Sequence, residues 1–217
     1  MTTLASIIPH DQLEQWLTDY GLLAVFLMVG IESIGVPVPG ETMLVVAALY
    51  AGSTHKLSIV LIVLAAAAGA IVGDNIGYSV GRHGGWPLLK RHGHRVGIDE
   101  RRLKLGRYLF LTHGGKVVFF GRFISILRTY AAALAGANHM PFGRFFSFNA
   151  SGGLIWAAVY GLGYYFAAHL LKELDTPVTV ALIVIAALAV VGFLAFIRRN
   201  ISEWEERAER ALPGPLF

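Results

Sequence analysis

The chain has 217 residues, 55% hydrophobic and only 15% charged, with a formal net charge of +4. That apolar excess excludes an ordinary soluble domain and predicts an all-α, polytopic integral membrane protein. The absence of Cys excludes structural disulfides and thiolate chemistry. The basic excess is clustered as a membrane protein clusters it, so nucleic acid is not an expected partner.

Residues 1–20 carry no Lys or Arg, and no small-residue cleavage site follows an apolar core, so no secretory leader is expected there. Within them, residues 10–20 read as a polar or interfacial segment. Residues 21–51 contain two apolar arms, Gly21–Gly35 and Gly40–Ala51. Each arm is too short to cross a hydrocarbon core of ~30 Å at ~1.5 Å per residue. Between them Pro37-Val38-Pro39-Gly40 interrupts the helix, because Pro lacks an N–H and restricts the residue before it. The expectation is a re-entrant helical hairpin, tolerated at that depth only where protein or a water-filled cavity surrounds it.

Residues 57–81 form a full span in which Gly69, Gly73, Gly77 and Gly81 repeat at helical spacing, a face that lets another helix approach closely. Residues 82–112 make a basic cytoplasmic segment with an amphipathic, surface-lying character. A second hairpin is expected over 114–136, and further spans over 142–169 and 178–197, giving about three full transmembrane helices. Residues 198–217 form a tail with i,i+4 pairs at Glu203/Arg207 and Glu206/Arg210.

Before Arg82 the sole basic side chain is Lys56, whereas residues 82–116 and 198–210 are rich in Arg and Lys. By the positive-inside rule both regions are cytoplasmic, which places the C-terminus inside and the N-terminus outside. The halves echo each other: Glu41-Thr42 leads to Ala51-Gly52 and a span, Arg128-Thr129 to Ala135-Gly136 and a span. This is the pattern of an inverted repeat, whose paired broken helices point to a binding site near the midplane.

Ionisable groups in such segments are costly and usually functional. The first hairpin carries Glu32 and Glu41, the second Arg122 and Arg128. If the tips meet, two carboxylates oppose two guanidiniums. Arg offers a planar donor fork suited to phosphate, and a desolvated Glu can carry a proton. The competing reading is that these charges pair and pin the hairpins together. Asp74 follows Gly73 in the span and is an accessory candidate, with a packing hydrogen bond the alternative. Asn149, like Ser151, serves either as interhelical glue or as an accessory ligand, and Trp156 as packing, interface belt or accessory contact. His83, His92 and His94 lack metal-ligand spacing. With no nucleophile–base pair, phosphate loop or dinucleotide motif, neither an enzyme, a cofactor nor a metal site is expected.

Taken together, Glu32 with Pro37-Val38-Pro39-Gly40-Glu41, Gly69 to Asp74 with Tyr78 and Arg82, and Gly121-Arg122-Phe123 to Arg128-Thr129 resemble the DedA family, the bacterial branch of the VTT-domain membrane proteins. Ala135-Gly136, Met140, Phe145, Asn149 and Trp156 extend the resemblance, which covers roughly residues 20–170. It implies two opposed re-entrant hairpins and a protein of the bacterial cytoplasmic membrane. It also implies lipid transport, with undecaprenyl phosphate or phospholipids such as phosphatidylethanolamine as substrates and protons or ions as coupling species. The family's essential acidic pair maps onto Glu32 and Glu41 and its essential arginines onto Arg122 and Arg128. Where this chain has Ser125 or Ile126 the family often has Pro. An undecaprenyl phosphate flippase is the leading expectation. The alternatives are a phospholipid flippase or scramblase, a proton-coupled small-molecule transporter and a membrane scaffold. Oligomeric state is open, a homo-oligomer included.

Overall fold

The computed structural model describes residues 10–36, 38–93, 100–173 and 203–214, together with Leu188, Gly192 and Ala195. These residues are helical throughout, joined by short turns. Helix α1 (His10–Ile34) is followed by α2 (Gly40–Thr54), α3 (Ile59–Gly93) and α4 (Glu100–His113). Then come α5 (Gly115–Gly121), α6 (Ser125–Ala137) and α7 (Phe142–Glu173), and a tail helix, α8, over 203–211. The expected 178–197 span falls outside the described residues, apart from the three single positions.

The chain divides into two compact units, Met1–Ile76 with Asn149–His169, and Gly77–Phe148 with Leu170–Phe217. Each contains a helix–break–helix pair. In the first unit α1 packs along α2, and in the second α5 packs along α6. The change of composition at residue 20 does not end a helix: α1 runs unbroken from His10 to Ile34. The 57–81 span is also longer than expected. The helix passes Gly81 and kinks at Gly85, whose φ of 57° and ψ of −163° are open to glycine alone.

Two helical stretches, Ile59–Gly85 and Phe142–Ala168, are long and apolar enough to cross a membrane. Their outer faces are apolar too. On α3, Val60, Leu64, Val72 and Ile76 are exposed, and on α7 so are Leu154, Val159 and Phe166. Water would not tolerate such continuous stripes, whereas lipid tails cover them at no cost.

Within hydrocarbon, helices gain little from hydrophobic burial against each other, so close van der Waals approach must hold them. In the first unit a Cβ on Gly69 would collide with the Phe26 carbonyl, and one on Gly73 with the Gly30 carbonyl. The α3 backbone therefore lies directly on the α1 backbone. The second unit repeats the device: a Cβ on Gly81 would strike the Ala133 carbonyl, and one on Gly136 the Tyr78 carbonyl. Around this contact Tyr78 stacks on Phe145 with ring centroids 4.4 Å apart and donates to the Met140 carbonyl.

Gly73→Val is expected to destabilise the protein by about 2 kcal/mol or more, since backbone cannot yield as a side-chain tip can. Gly163, whose Cβ direction is open, serves as control: Gly163→Ala should leave the Tm in detergent unchanged or slightly raised.

Candidate functional site

The break after α1 is built by backbone before Pro contributes. Gly35 takes a φ of 110°, and the Val36 N–H reaches back to the Ile31 carbonyl at 3.4 Å. This is a Schellman-type ending, which satisfies carbonyls that would otherwise be orphaned. The chain then crosses to Pro39, the N-cap of α2, which offers no side-chain cap of its own.

Glu32 supplies what the N-cap lacks. Its Oε2 accepts the Glu41 backbone N–H at 2.8 Å, although the residues are nine apart. A carboxylate on the first turn of a helix meets both a free donor and the positive end of the macrodipole. Gly40 makes this possible. A Cβ there would lie 2.6 Å from Glu32 Oε2, 2.6 Å from the Met28 carbonyl and 2.8 Å from Val29 Cα. Glu32 and Glu41 are thus brought together at one point of the first unit, both half-buried.

The same level of this unit carries Asp74. The contact of Gly73 with Gly30 and Ser33 brings the start of that turn of α3 beside the end of α1. Asp74 and Ser33 are both buried there. Asn149 on α7 is fully buried and its Nδ2 donates to the Ile71 carbonyl of α3 at 3.3 Å, a bond between helices. Trp156 is buried as well, with its ring 5.5 Å from that of Tyr160.

The second unit holds both arginines. Here α5 stops at Gly121 and the chain turns through Arg122, Phe123 and Ile124 before α6 begins. The turn is closed by Phe123 N–H to the Phe120 carbonyl and Ile124 N–H to the Gly121 carbonyl, each at 3.1 Å. Ile124 is extended, at φ −114° and ψ 112°, so the break needs neither Pro nor a positive φ. Arg122 lies in the turn with 3% of its surface exposed, and Arg128 sits half-buried in the first turns of α6.

Sequence reading missed two features. Arg82, assigned to the basic segment, donates to the Tyr78 hydroxyl at 3.1 Å beside the Met140 carbonyl. Lys104, assigned to the same basic segment, is buried and paired with Glu209 at 2.6 Å. No local signal joins Lys104 to Glu209, 105 residues away, although a Lys on the apolar side of an amphipathic helix is a hint. Among the described residues no group of three or more His, Asp or Glu is placed to hold a metal ion.

A family model described as the VTT domain matches residues 38–166. An uncharacterized membrane protein of Synechocystis is 42% identical over 149 residues, covering 69% of this chain and 68% of the relative. One from Mycobacterium tuberculosis is 40% identical over 185 residues, covering 83% and 84%. Protein DedA of Escherichia coli K12 is 33% identical over 129 residues, covering 59% and 58%. No solved structure matches. The matched span contains the second helix break and, of the first, only Val38 and Pro39 with the helix they lead into, and with the apolar faces of α3 and α7 it settles the class: the chain belongs to the VTT-domain (DedA) family of membrane proteins.

Proposed function

We infer that this protein moves a phosphate-bearing lipid across the bacterial cytoplasmic membrane, with undecaprenyl phosphate the leading substrate, and that it is a transporter rather than an enzyme. The observation that carries the reading is Arg122, a guanidinium buried in the turn of a broken helix within an apolar chain. Burying such a charge is expensive, and a phosphate is the ligand its donor fork fits best. Arg128, in the following helix, supplies the second cation for the headgroup. The polyprenyl tail needs no protein cavity, because it remains in lipid.

The carboxylates take the coupling role. Glu32 holds the amide at the start of α2 as an anion, and protonation weakens that bond, since a neutral carboxyl is a poorer acceptor and no longer meets the helix dipole with charge. Proton uptake at Glu32 or Glu41 would in this way loosen the α1–α2 break while lipid passes. The orientation with the basic segments and C-terminus inside follows from the distribution of Lys and Arg.

One observation favours a second reading, the scaffold. Glu32 already has a structural task as the cap of α2, and that task requires no substrate.

The experiment is lipid translocation by the purified full-length protein in liposomes. Arg128→Ala should fold and lose translocation, and wild-type transport by that variant would sink the role given to the arginines. Equal transport of zwitterionic phospholipids would redirect the proposal to a scramblase, and proton flux without lipid movement to a small-molecule transporter.

Glu32→Gln separates capping from coupling, because an amide oxygen still accepts the Glu41 N–H but carries no charge. It should retain its Tm within a few degrees and lose the dependence of transport on a pH gradient. Glu32→Ala removes the cap itself and should cost about 0.5–2 kcal/mol of stability. If Glu32→Gln transports and couples as the wild type does, the acid is a cap only.

A further inference from the structure

The second unit contains a cavity of about 390 Å³ that neither helix break accounts for. It lies among α4, α5, the start of α6 and the tail helix α8. Its floor is apolar, formed chiefly by Val117, Phe120, Leu127 and Trp204. Three groups able to carry positive charge stand around it, His113, Lys116 and Arg207, and among the described residues no carboxylate lines it. The nearest acid on the tail helix, Glu203, approaches Arg207 at 3.8 Å, with both side chains more than 60% exposed. So loose and wet a pair contributes little and yields readily to a stronger anion.

The tail helix is held there as a wall. Trp204, Arg207 and Ala208 share one of its faces, and Ala208 is 1% exposed. One residue further, Glu209 takes the buried Lys104 ammonium of α4 at 2.6 Å. This ion pair clamps a helix that otherwise has a single buried apolar side chain among its described residues. The opposite wall includes Gly121 and Ile124, which belong to the turn carrying Arg122.

An apolar floor with a basic rim selects an anionic amphiphile. A free phosphate could meet Lys116 and Arg207 but would leave Val117, Leu127 and Trp204 uncovered. A zwitterionic lipid would bring its own cation to a rim that already has Lys116 and Arg207. We propose that this groove is a binding site for a resident anionic glycerophospholipid of the surrounding membrane. Its phosphate lies on Lys116 and Arg207, and one acyl chain lies along Val117, Leu127 and Trp204. The site is separate from the transport reading and does not depend on it. Through Gly121 and Ile124 the bound chain braces the turn that holds Arg122, and through Trp204 and Arg207 it fastens the tail helix.

The test titrates the full-length protein in neutral detergent with phosphatidylglycerol, phosphatidylcholine or inorganic phosphate, following Tm. Brominated acyl chains then report contact with Trp204, taken as the quenching lost in Trp204→Phe. Phosphatidylglycerol should raise Tm and quench Trp204, while phosphatidylcholine and inorganic phosphate should do neither. Lys116→Gln/Arg207→Gln, both at exposed positions, should weaken the apparent affinity roughly tenfold or more. Arg210→Gln, on the same helix but outside the groove, removes one positive charge from the tail and should bind as the wild type does. An equal response to phosphatidylcholine, a response reproduced by inorganic phosphate, or an unchanged affinity in the double variant would each overturn the proposal. Quenching of Trp204 is read independently of whether the Lys116/Arg207 double variant folds.

Discussion

The Glu32 carboxylate on the Glu41 amide is the interaction on which the first unit's interior depends. The start of a helix exposes four N–H groups that need acceptors. Pro39 as N-cap brings no oxygen to the task. Glu32 reaches across from the preceding helix and does so with a charge. The same contact that completes the start of α2 also ties it to the end of α1. The stability of the break and the position of the acid are therefore one quantity, and any event that neutralises the acid changes both.

The second unit meets the same constraint by other means. Its turn is short enough to close on itself, with backbone donors of Phe123 and Ile124 returning to carbonyls of α5. The side chain placed in the turn can then be a cation, Arg122, instead of an acceptor required by the backbone. Elsewhere in the unit the Tyr78 hydroxyl and Arg82 gather on the Met140 carbonyl, in the α6–α7 connection. One break thus sets a carboxylate on the backbone of the helix that follows it, and the other closes its turn through backbone bonds.

Much of this was legible in the amino-acid order. The Pro-Val-Pro-Gly run announces the first break, and the glycines at 69 and 73 announce a close helix approach that the structure places on Phe26 and Gly30. The second break was harder. Its expected marker, a Pro near Ser125 or Ile126, is absent, and the turn at Arg122–Ile124 uses ordinary residues in ordinary conformations. The bond from Glu32 to Glu41 could not be read either. Spacing shows two acids flanking a break, but not that one carboxylate serves the other's amide. The burial of Lys104 could not be read, because composition averages a segment, whereas burial is decided residue by residue through a partner that is remote in sequence.

Lys104 and Arg122 are comparably buried, yet they carry different meanings. Lys104 has a carboxylate 2.6 Å away, and replacing such a pair by apolar groups is often neutral or stabilising. Its presence argues for a fastening of the tail helix. Arg122 stands where helical continuity has been given up, and a broken helix is itself an expense in an apolar medium. An unbroken apolar helix would satisfy its own backbone and need no buried charge at all. The chain accepts both costs at Arg122, and again at Glu32, whose charge also caps the helix that follows its break. The glycine contacts hold the helices beside each break, Gly73 against Gly30 in the first unit and Gly81 against Ala133 in the second.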